Sequence, residues 1–452
     1  MDKPIKELRA DATKLHRDGK LSQAALLYAR YLKGVPDDAG IWSNLGVLLR
    51  AQGRHEHALR AHKRAVALSP DTIGFRSNYA NILSDIGQYS ASILHREWVL
   101  ERDAGNLNQI AMIGRCLRGM GDYAGAIAYL KPQIKAFPAD PELQIQLAFA
   151  QLGAGDYAQA FKTYQIRWQA GELVPRTLPF AQWQGESLDG KTVLVMPEQG
   201  FGDAVLFARF VPVLRDLGAK VYCLIEKPLA VVLGDLDGAD WAGHHIPKDV
   251  DFDFYVNMVD LAALHFEATP VIPAPVRLTV PTDSIDRAAS IVAPYKDVLK
   301  VGVIWTGSVT YKGNAFRSFS HTDFVPLLDI AGVQLFSLYK GPMLEPYFED
   351  GTAAFIVDAG SDDRGFADTA ATMQAMDLII TSDTATAHIA GSLGVPTWTI
   401  LHWDPFWVWT HTGNTTPWYP ATTLFRQTTP LQWSGVMKEV RGALSQYLEN
   451  YR

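Results

Sequence analysis

The stretch Leu378-Ile379-Ile380-Thr381-Ser382-Asp383-Thr384-Ala385-Thr386-Ala387-His388-Ile389-Ala390-Gly391-Ser392-Leu393-Gly394-Val395-Pro396 decides how most of the chain is read. Its first three residues are the apolar run of a buried parallel strand. Small residues then open an amphipathic helix, which Gly394 closes with Pro396 just beyond. A strand that feeds a helix through Ser-Asp-Thr-Ala-Thr leaves backbone N–H groups unpaired at the helix start. Together with the helix dipole these groups suit a phosphate. The carboxyl end of a strand is also where open α/β sheets bind ligands. The competing reading is an ordinary helix start, with Asp383 or Thr384 as the N-cap.

Working outward, the same strand-then-helix grammar recurs on both sides. Lys191-Thr192-Val193-Leu194-Val195-Met196-Pro197 reads as a strand, Gln199-Gly200-Phe201-Gly202-Asp203 as a tight glycine turn, and Ala204 to Leu217 as an amphipathic helix. Further strands are expected at 220–225 and 253–256. A proline-rich stretch, Pro270-Val271-Ile272-Pro273-Ala274-Pro275, then suits an extended hinge. A second unit opens with the strand Leu299–Trp305 and its loop Thr306-Gly307-Ser308, followed by strands at 333–338, 378–380 and 397–401 and a C-terminal helix over 431–451. Alternating strands and helices imply parallel, doubly wound sheets. We therefore expect two Rossmann-like domains with a cleft between them, at 191–290 and 291–452, joined by a linker at 171–190 to what precedes.

What precedes is a repeat. Gly19, Gly53, Gly87, Gly121 and Gly155 are each 34 residues apart, and Ala24, Ala58, Ser92, Ala126 and Ala160 lie on the same ruler. Ala12, Gly46, Ala80, Gly114 and Ala148 form a third register. A two-helix unit of this period is the tetratricopeptide signature, so residues 1–170 are expected to form an α-helical solenoid. Small residues let the paired helices approach, and glycine closes the turn between them. Such arrays bind extended peptides or proteins; a structural brace is the alternative. His55, Glu56, His57 and His62 lie around one repeat turn and are expected on a solvated face rather than around a metal.

Bulk properties narrow the function classes. The chain has 452 residues with a net charge of −7, which speaks against nucleic acid as partner. Its two cysteines, Cys116 and Cys223, sit far apart in apolar contexts, as in a reducing compartment. There is no signal-peptide pattern at the start and no run of about 20 apolar residues, so a cytoplasmic protein without membrane insertion is expected. No P-loop, Ser/His/Asp set or zinc-ligand spacing occurs, and Asp251-Phe252-Asp253 lacks a second acidic cluster that would make it a metal site.

Two constellations could carry chemistry. Gly200 and Gly202 let a substrate approach the backbone, and Asp203 at the cleft edge is a candidate general base; its alternative is helix capping. Thr306, Ser308, Lys312 and Arg317 put hydroxyls and two cations in one loop, which suits phosphates; a solvated loop is the alternative. Lys340 could add a cation at the same edge. Asp383, Thr384, Ala385, Thr386 and His388 would complete the site, although His388 could equally be structural. The aromatic run Trp403, Phe406, Trp407, Trp409, Trp418 and Tyr419, with His402, Asp404 and His411, suits sugar rings or a packed closing loop.

These residues carry a resemblance. Glu198-Gln199-Gly200-Phe201-Gly202-Asp203, Trp305-Thr306-Gly307-Ser308, Ser337-Leu338-Tyr339-Lys340-Gly341-Pro342 and Asp383-Thr384-Ala385-Thr386-Ala387-His388 resemble the heptosyltransferase-like branch of GT-B glycosyltransferases. Bacterial proteins that join tetratricopeptide repeats to such a domain, flagellin-modifying glycosyltransferases among them, look similar across the chain. The resemblance implies metal-independent transfer from a nucleotide-sugar, bound by the second half, to a protein hydroxyl recruited by the repeats, with no cofactor. It implies Asp203 as base, Lys312 or Arg317 on the donor phosphates, and Asp383, Thr384, Ala385, Thr386 and His388 around the nucleotide. A lipid-linked or polysaccharide acceptor, and a silent interaction scaffold, are the alternatives.

Overall fold

The computed structural model describes residues 4–171, 173, 174, 176–198, 200–311 and 313–451. The chain divides into two compact units, which meet in sequence at residues 150 and 151.

The first unit is a helical solenoid. Its helices are α1 (Ile5–Arg17), α2 (Leu21–Gly34), α3 (Ala39–Ala51), α4 (His55–Leu68), α5 (Ile73–Asp85), α6 (Tyr89–Leu100), α7 (Leu107–Gly119), α8 (Tyr123–Ala136) and the start of α9 (Pro141–Gly153). The repeat registers explain the packing. Gly19, Gly53, Gly87 and Gly121 all adopt left-handed φ between 71° and 77°, the conformation that reverses the chain within each helix pair. Ala12, Ala24, Ala58, Ala80, Ser92 and Ala126 are fully buried. A Cβ at Gly46 would lie 2.6 Å from the His62 ring, and one at Gly114 would lie 2.7 Å from Leu130, so these glycines exist for close helix approach. This corrects the expectation for His62. It is fully buried beneath α3 rather than solvated, and burial followed by Arg50 lowers its pKa to about 4. Glu56 and His57 are exposed, as expected.

The second unit opens with the end of α9 and with α10 (Tyr157–Tyr164). On sequence period α10 is the last repeat helix, yet it packs on α13 (Leu261–Ala268). Phe161 stacks on Phe266 with centroids 5.7 Å apart, and Tyr157 accepts a 3.1 Å bond from Trp418 Nε1. Gly155 has a left-handed φ, 79°, like the other repeat glycines, so the 34-residue ruler continues through α10, which adds these contacts to its place in the last pair.

The rest of this unit holds two all-parallel sheets. The five-stranded sheet has order β1-β5-β2-β3-β4: β1 (Ala181–Gln182), β2 (Thr192–Met196), β3 (Lys220–Leu224), β4 (Trp241–Gly243) and β5 (Phe254–Asn257). The six-stranded sheet has order β11-β10-β9-β6-β7-β8: β6 (Leu299–Ile304), β7 (Val333–Ser337), β8 (Val357–Asp358), β9 (Leu378–Ser382), β10 (Thr397–Leu401) and β11 (Thr422–Arg426). Strands β2, β6, β9 and β10 are almost wholly buried, which their continuous apolar runs required. Helices α11 (Phe201–Phe207), α12 (Pro212–Asp216), α14 (Thr282–Val292), α15 (Asn314–Arg317), α16 (Glu345–Glu349), α17 (Phe366–Gln374), α18 (Ala385–Leu393) and α19 (Trp433–Tyr451) complete it. The single helix expected over 204–217 is broken. It starts earlier, at Phe201, and Pro212 restarts it as α12, because proline lacks the N–H that would continue the ladder and is favoured at a first helical position.

Each sheet has a switch point where strand order reverses. In the first sheet it lies between β2 and β5, and in the second between β6 and β9. Ligand crevices form outside the carboxyl ends of strands at such points. The loops that leave β2, β6 and β9 there begin at residues 197, 305 and 383, the three segments singled out in the sequence.

Candidate functional site

Asp203 stands on the first turn of α11, which begins immediately after Gly200. Its Oδ2 accepts the Gly200 backbone N–H at 3.2 Å, so it does serve the helix start, as the third residue rather than as the N-cap. The side chain is half-buried. Burial raises its pKa to about 6, and the nearby Asp383 carboxylate adds to the rise while the Gly200 N–H and Arg317 oppose it. A carboxylate at the end of one sheet therefore feels an acid and a guanidinium from the loops of the other.

The contact that brings them together is α11 on α18. A Cβ at Gly202 would lie 2.9 Å from Cδ2 of His388 and 3.4 Å from the Ala385 backbone, so only glycine allows this approach. The start of α18 is not capped by a side chain: Thr384 occupies the N-cap position without such a bond. Asp383 does not cap it either. Its Oδ1 accepts the Trp409 indole N–H at 2.6 Å, which fixes the carboxylate beside the helix start. Thr386 shares hydroxyl bonds with Thr384 at 2.6 Å and Thr381 at 2.8 Å. Gly394, at φ 70°, ends the helix.

The β6 loop folds against this helix start. A Cβ at Gly307 would meet Thr384 Cγ2 at 2.6 Å and an Arg317 nitrogen at 3.2 Å. Thr306 is buried, accepts from Asn314 Nδ2 at 3.0 Å and bonds Ser318 Oγ at 2.7 Å. Asn314 also takes the Gly307 N–H at 3.3 Å and Arg317 Nε at 3.4 Å, and the guanidinium lies over the Tyr311 ring at 4.5 Å. Asn314 is thus the organiser of this loop. Sequence reasoning missed it, since an asparagine between glycine and alanine has the composition of any turn. Ser308 is exposed and bonds Thr310 Oγ1 at 2.8 Å, outside the buried cluster. Lys312 lies outside the described residues. Lys340 donates to the Asp363 backbone carbonyl in the loop after β8, so the structure directs it to a neighbouring loop. The β8 loop carries its own buried acid. Asp363 has a pKa raised to about 6, chiefly by burial, and takes the Thr369 hydroxyl at 2.7 Å.

His388 is buried, and its Nδ1 pairs with the Tyr419 hydroxyl at 2.9 Å. Burial, followed by Arg209 and Arg317, lowers its pKa to about 3, so it stays neutral at physiological pH. Burial raises Tyr419 to about 12. Arg209 sits 4.8 Å from the Tyr419 ring centroid and donates to the carbonyls of Leu206, Pro273 and Trp418 at 3.0–3.2 Å, which ties the first half to the second. Trp409, Trp418 and Tyr419 are fully buried. For them the packing reading holds, and they support the site from behind.

Behind Asp203 lies a buried ion cluster. Arg167 holds Glu198 with bonds of 2.8 and 3.0 Å and Asp260 at 2.7 Å, and Arg167 and Glu198 are nearly inaccessible. Glu198 precedes the 200–203 turn at the end of β2, so the cluster anchors the strand from which Asp203 hangs. Among the described residues no group of three or more His, Cys, Asp or Glu could hold a metal ion, and no helix is long and apolar enough to cross a membrane.

These features define a helical-repeat protein with a parallel α/β unit. Residues 12–72 and 117–165 match the family described as tetratricopeptide repeat. Over 94% of its length the chain is similar to Protein FlbA of Caulobacter vibrioides, at 26% identity and across 76% of that protein. Solved structures similar to the repeat part include MamA from Desulfovibrio magneticus RS-1, at 16% identity and a TM-score of 0.34, covering 38% of this chain and 96% of that one. Another is a tetratricopeptide repeat protein from Parabacteroides merdae, at 15% identity and a TM-score of 0.34, covering 36% of this chain and 66% of that one.

Proposed function

We propose that the chain is a GT-B-type, metal-independent glycosyltransferase that moves a sugar from a nucleotide-activated donor to a protein hydroxyl in the cytoplasm, with the repeats recruiting the polypeptide. Flagellin is the acceptor suggested by the resemblance. The observation that carries the proposal is the approach of α11 to α18: Gly202, beside Asp203 at one switch point, packs against Ala385 and His388 beyond the other, where Arg317 and Asp383 also stand near enough to act on the Asp203 carboxyl.

In this reading the uncapped start of α18 and Arg317 take the donor phosphate, with Lys312 as the second candidate cation. Thr306, Asn314, Thr384 and Thr386 hold the loops that form the pocket wall. Asp203, ionised above pH about 6, takes the proton of the acceptor hydroxyl. The hydroxyl oxygen bonds to the anomeric carbon as the bond from that carbon to the phosphate oxygen breaks. The nucleotide leaves with the electron pair, stabilised by the helix start and the guanidinium. His388, neutral and locked to Tyr419, acts as a fixed polar wall and not as an acid or base.

The test is nucleotide release from a panel of nucleotide-sugars in the presence of the acceptor polypeptide, for the wild type and Asp203→Ala. Loss of turnover with retained nucleotide binding supports the assignment. Retained turnover in the variant removes Asp203 from the role of base.

A further inference from the structure

Arg96 is the most unusual side chain of the repeats. It is fully buried on α6, and among the described residues it donates to neutral groups: Ser92 Oγ at 3.1 Å, Gln109 Oε1 at 2.8 Å, Asn81 Oδ1 at 2.9 Å and Ser84 Oγ at 3.1 Å. A buried guanidinium without a carboxylate is expensive and is normally paired. Here the surroundings add charge of the same sign. Burial lowers the proton affinity of Arg96; Cys116 opposes this, and Arg115 and Arg50 lower it further, so both guanidiniums lie within electrostatic reach.

The repeat register explains why they converge. Helices α3, α5 and α7 are the first members of successive pairs and stack side by side: the 3.1 Å bond from Asn78 to Ser43 and the Arg50–Asp85 ion pair join α5 to α3, and Ser84 meets Cys116 of α7 at 3.3 Å. Arg115 lies one period after Asn81. Arg118 lies one period after Ser84 and two after Arg50. Arg50, Asn81, Ser84, Arg115 and Arg118 therefore occupy one continuous face, with Arg96 directly beneath it. Arg115 is exposed and has no hydrogen bond or ion pair among the described residues. Arg118 packs its guanidinium 5.3 Å from the Phe149 ring centroid, and its Nε is buried without a hydrogen-bond partner. Asp85 is the one carboxylate ion-paired with any of these four arginines among the described residues.

We propose that this face binds an acidic segment of a polypeptide, whose Asp or Glu carboxylates pair with Arg115 and Arg118 over the buried charge of Arg96. Planar guanidiniums in a row match carboxylates two at a time, and the excess positive charge beneath them favours the anion further. The inference rests on the proposed recruiting role of the repeats and narrows the partner by its chemistry.

The test uses the full chain and fluorescence anisotropy with three labelled probes: a ten-residue polyglutamate peptide, a ten-residue polylysine peptide and a ten-nucleotide oligothymidine. Polyglutamate binds the wild type, at least about tenfold more weakly to Arg115→Ala/Arg118→Ala, and more weakly as salt rises. Arg115 is exposed and Arg118 partly so, and an unchanged circular dichroism spectrum separates lost binding from lost fold. No binding of polyglutamate, equal binding by the double variant, or equal binding of oligothymidine overturns the proposal. If the double variant binds polyglutamate normally while protein glycosylation still requires residues 1–150, recruitment by the repeats stands and only its acidic chemistry falls.

Discussion

Replacing Asp203 by Asn should make the protein more stable while removing its activity. Burial lifts the carboxyl from an ordinary 3.8 to about 6, which means that the folded chain disfavours the ionised form. A shift of about two units corresponds to roughly 3 kcal/mol. Asn keeps an oxygen for the Gly200 N–H and carries no charge to desolvate. The sign follows from linkage. Below pH about 4 the carboxyl is protonated in both folded and unfolded chains, and it contributes no penalty. Between pH about 4 and 6 the folded chain holds its proton while the unfolded chain releases it, so the penalty grows. Above pH 6 it is complete. Because the side chain is only half-buried, a gain of about 1–3 kcal/mol is the expected range at pH 8, with a smaller gain at pH 5. Chemical denaturation of both proteins at the two pH values measures it. A destabilised variant, or a gain independent of pH, would refute the claim that burial raises the pKa of Asp203.

Four further outcomes follow from the geometry. Arg167→Met leaves Glu198 and Asp260 without their cation and should cost about 3–5 kcal/mol in urea unfolding, with nucleotide binding altered less than stability. Gly202→Ala forces a methyl to within 2.9 Å of His388 and should cost about 1–3 kcal/mol, whereas alanine at Gly435, where the space is open, should be tolerated. If Asp203 is the base, turnover falls about tenfold per pH unit below pH 6, and a pH-rate profile would expose a different group if the fall begins elsewhere. Removal of residues 1–150 should abolish transfer to a protein acceptor and spare nucleotide binding. Retained transfer to the protein would assign the repeats another role.

Much of the fold was legible because it is written in short-range periodicity. The 34-residue ruler marked the solenoid, and the runs at 191–197, 299–305, 378–380 and 397–401 marked the buried strands. The short strands β1, β4 and β8 escaped, since two or three half-buried residues carry no period. α10 was placed among the repeats by its register, and the tetratricopeptide match over 117–165 agrees; its aromatic contacts with Phe266 and Trp418 had no signal in that period. His62 escaped for a related reason: one residue among charged neighbours reads as surface, and only the glycine opposite it at position 46 betrays the buried slot.

The site was legible as loops and less so as contacts. Asp203, Gly202, Thr306, Arg317, Asp383, Thr384 and His388 meet because each follows a strand at a switch point. Asn314, Trp409, Tyr419 and Arg209 were not singled out as members of that set, because their partners lie far away in sequence or depend on loop geometry. Asp383 was read as a capping residue or a ligand. That Trp409 holds it could not be inferred from either motif.

The most direct measurement is the thermal shift of the full chain with UDP, GDP, ADP, CMP and dTDP, run beside Arg317→Ala. One nucleotide should stabilise the wild type, by an amount that rises with its concentration, and the shift should be lost or strongly reduced in the variant. If none of the five stabilises the protein, or if the variant responds as the wild type does, the β6 loop and the start of α18 do not form a donor site, and the transferase assignment falls with it.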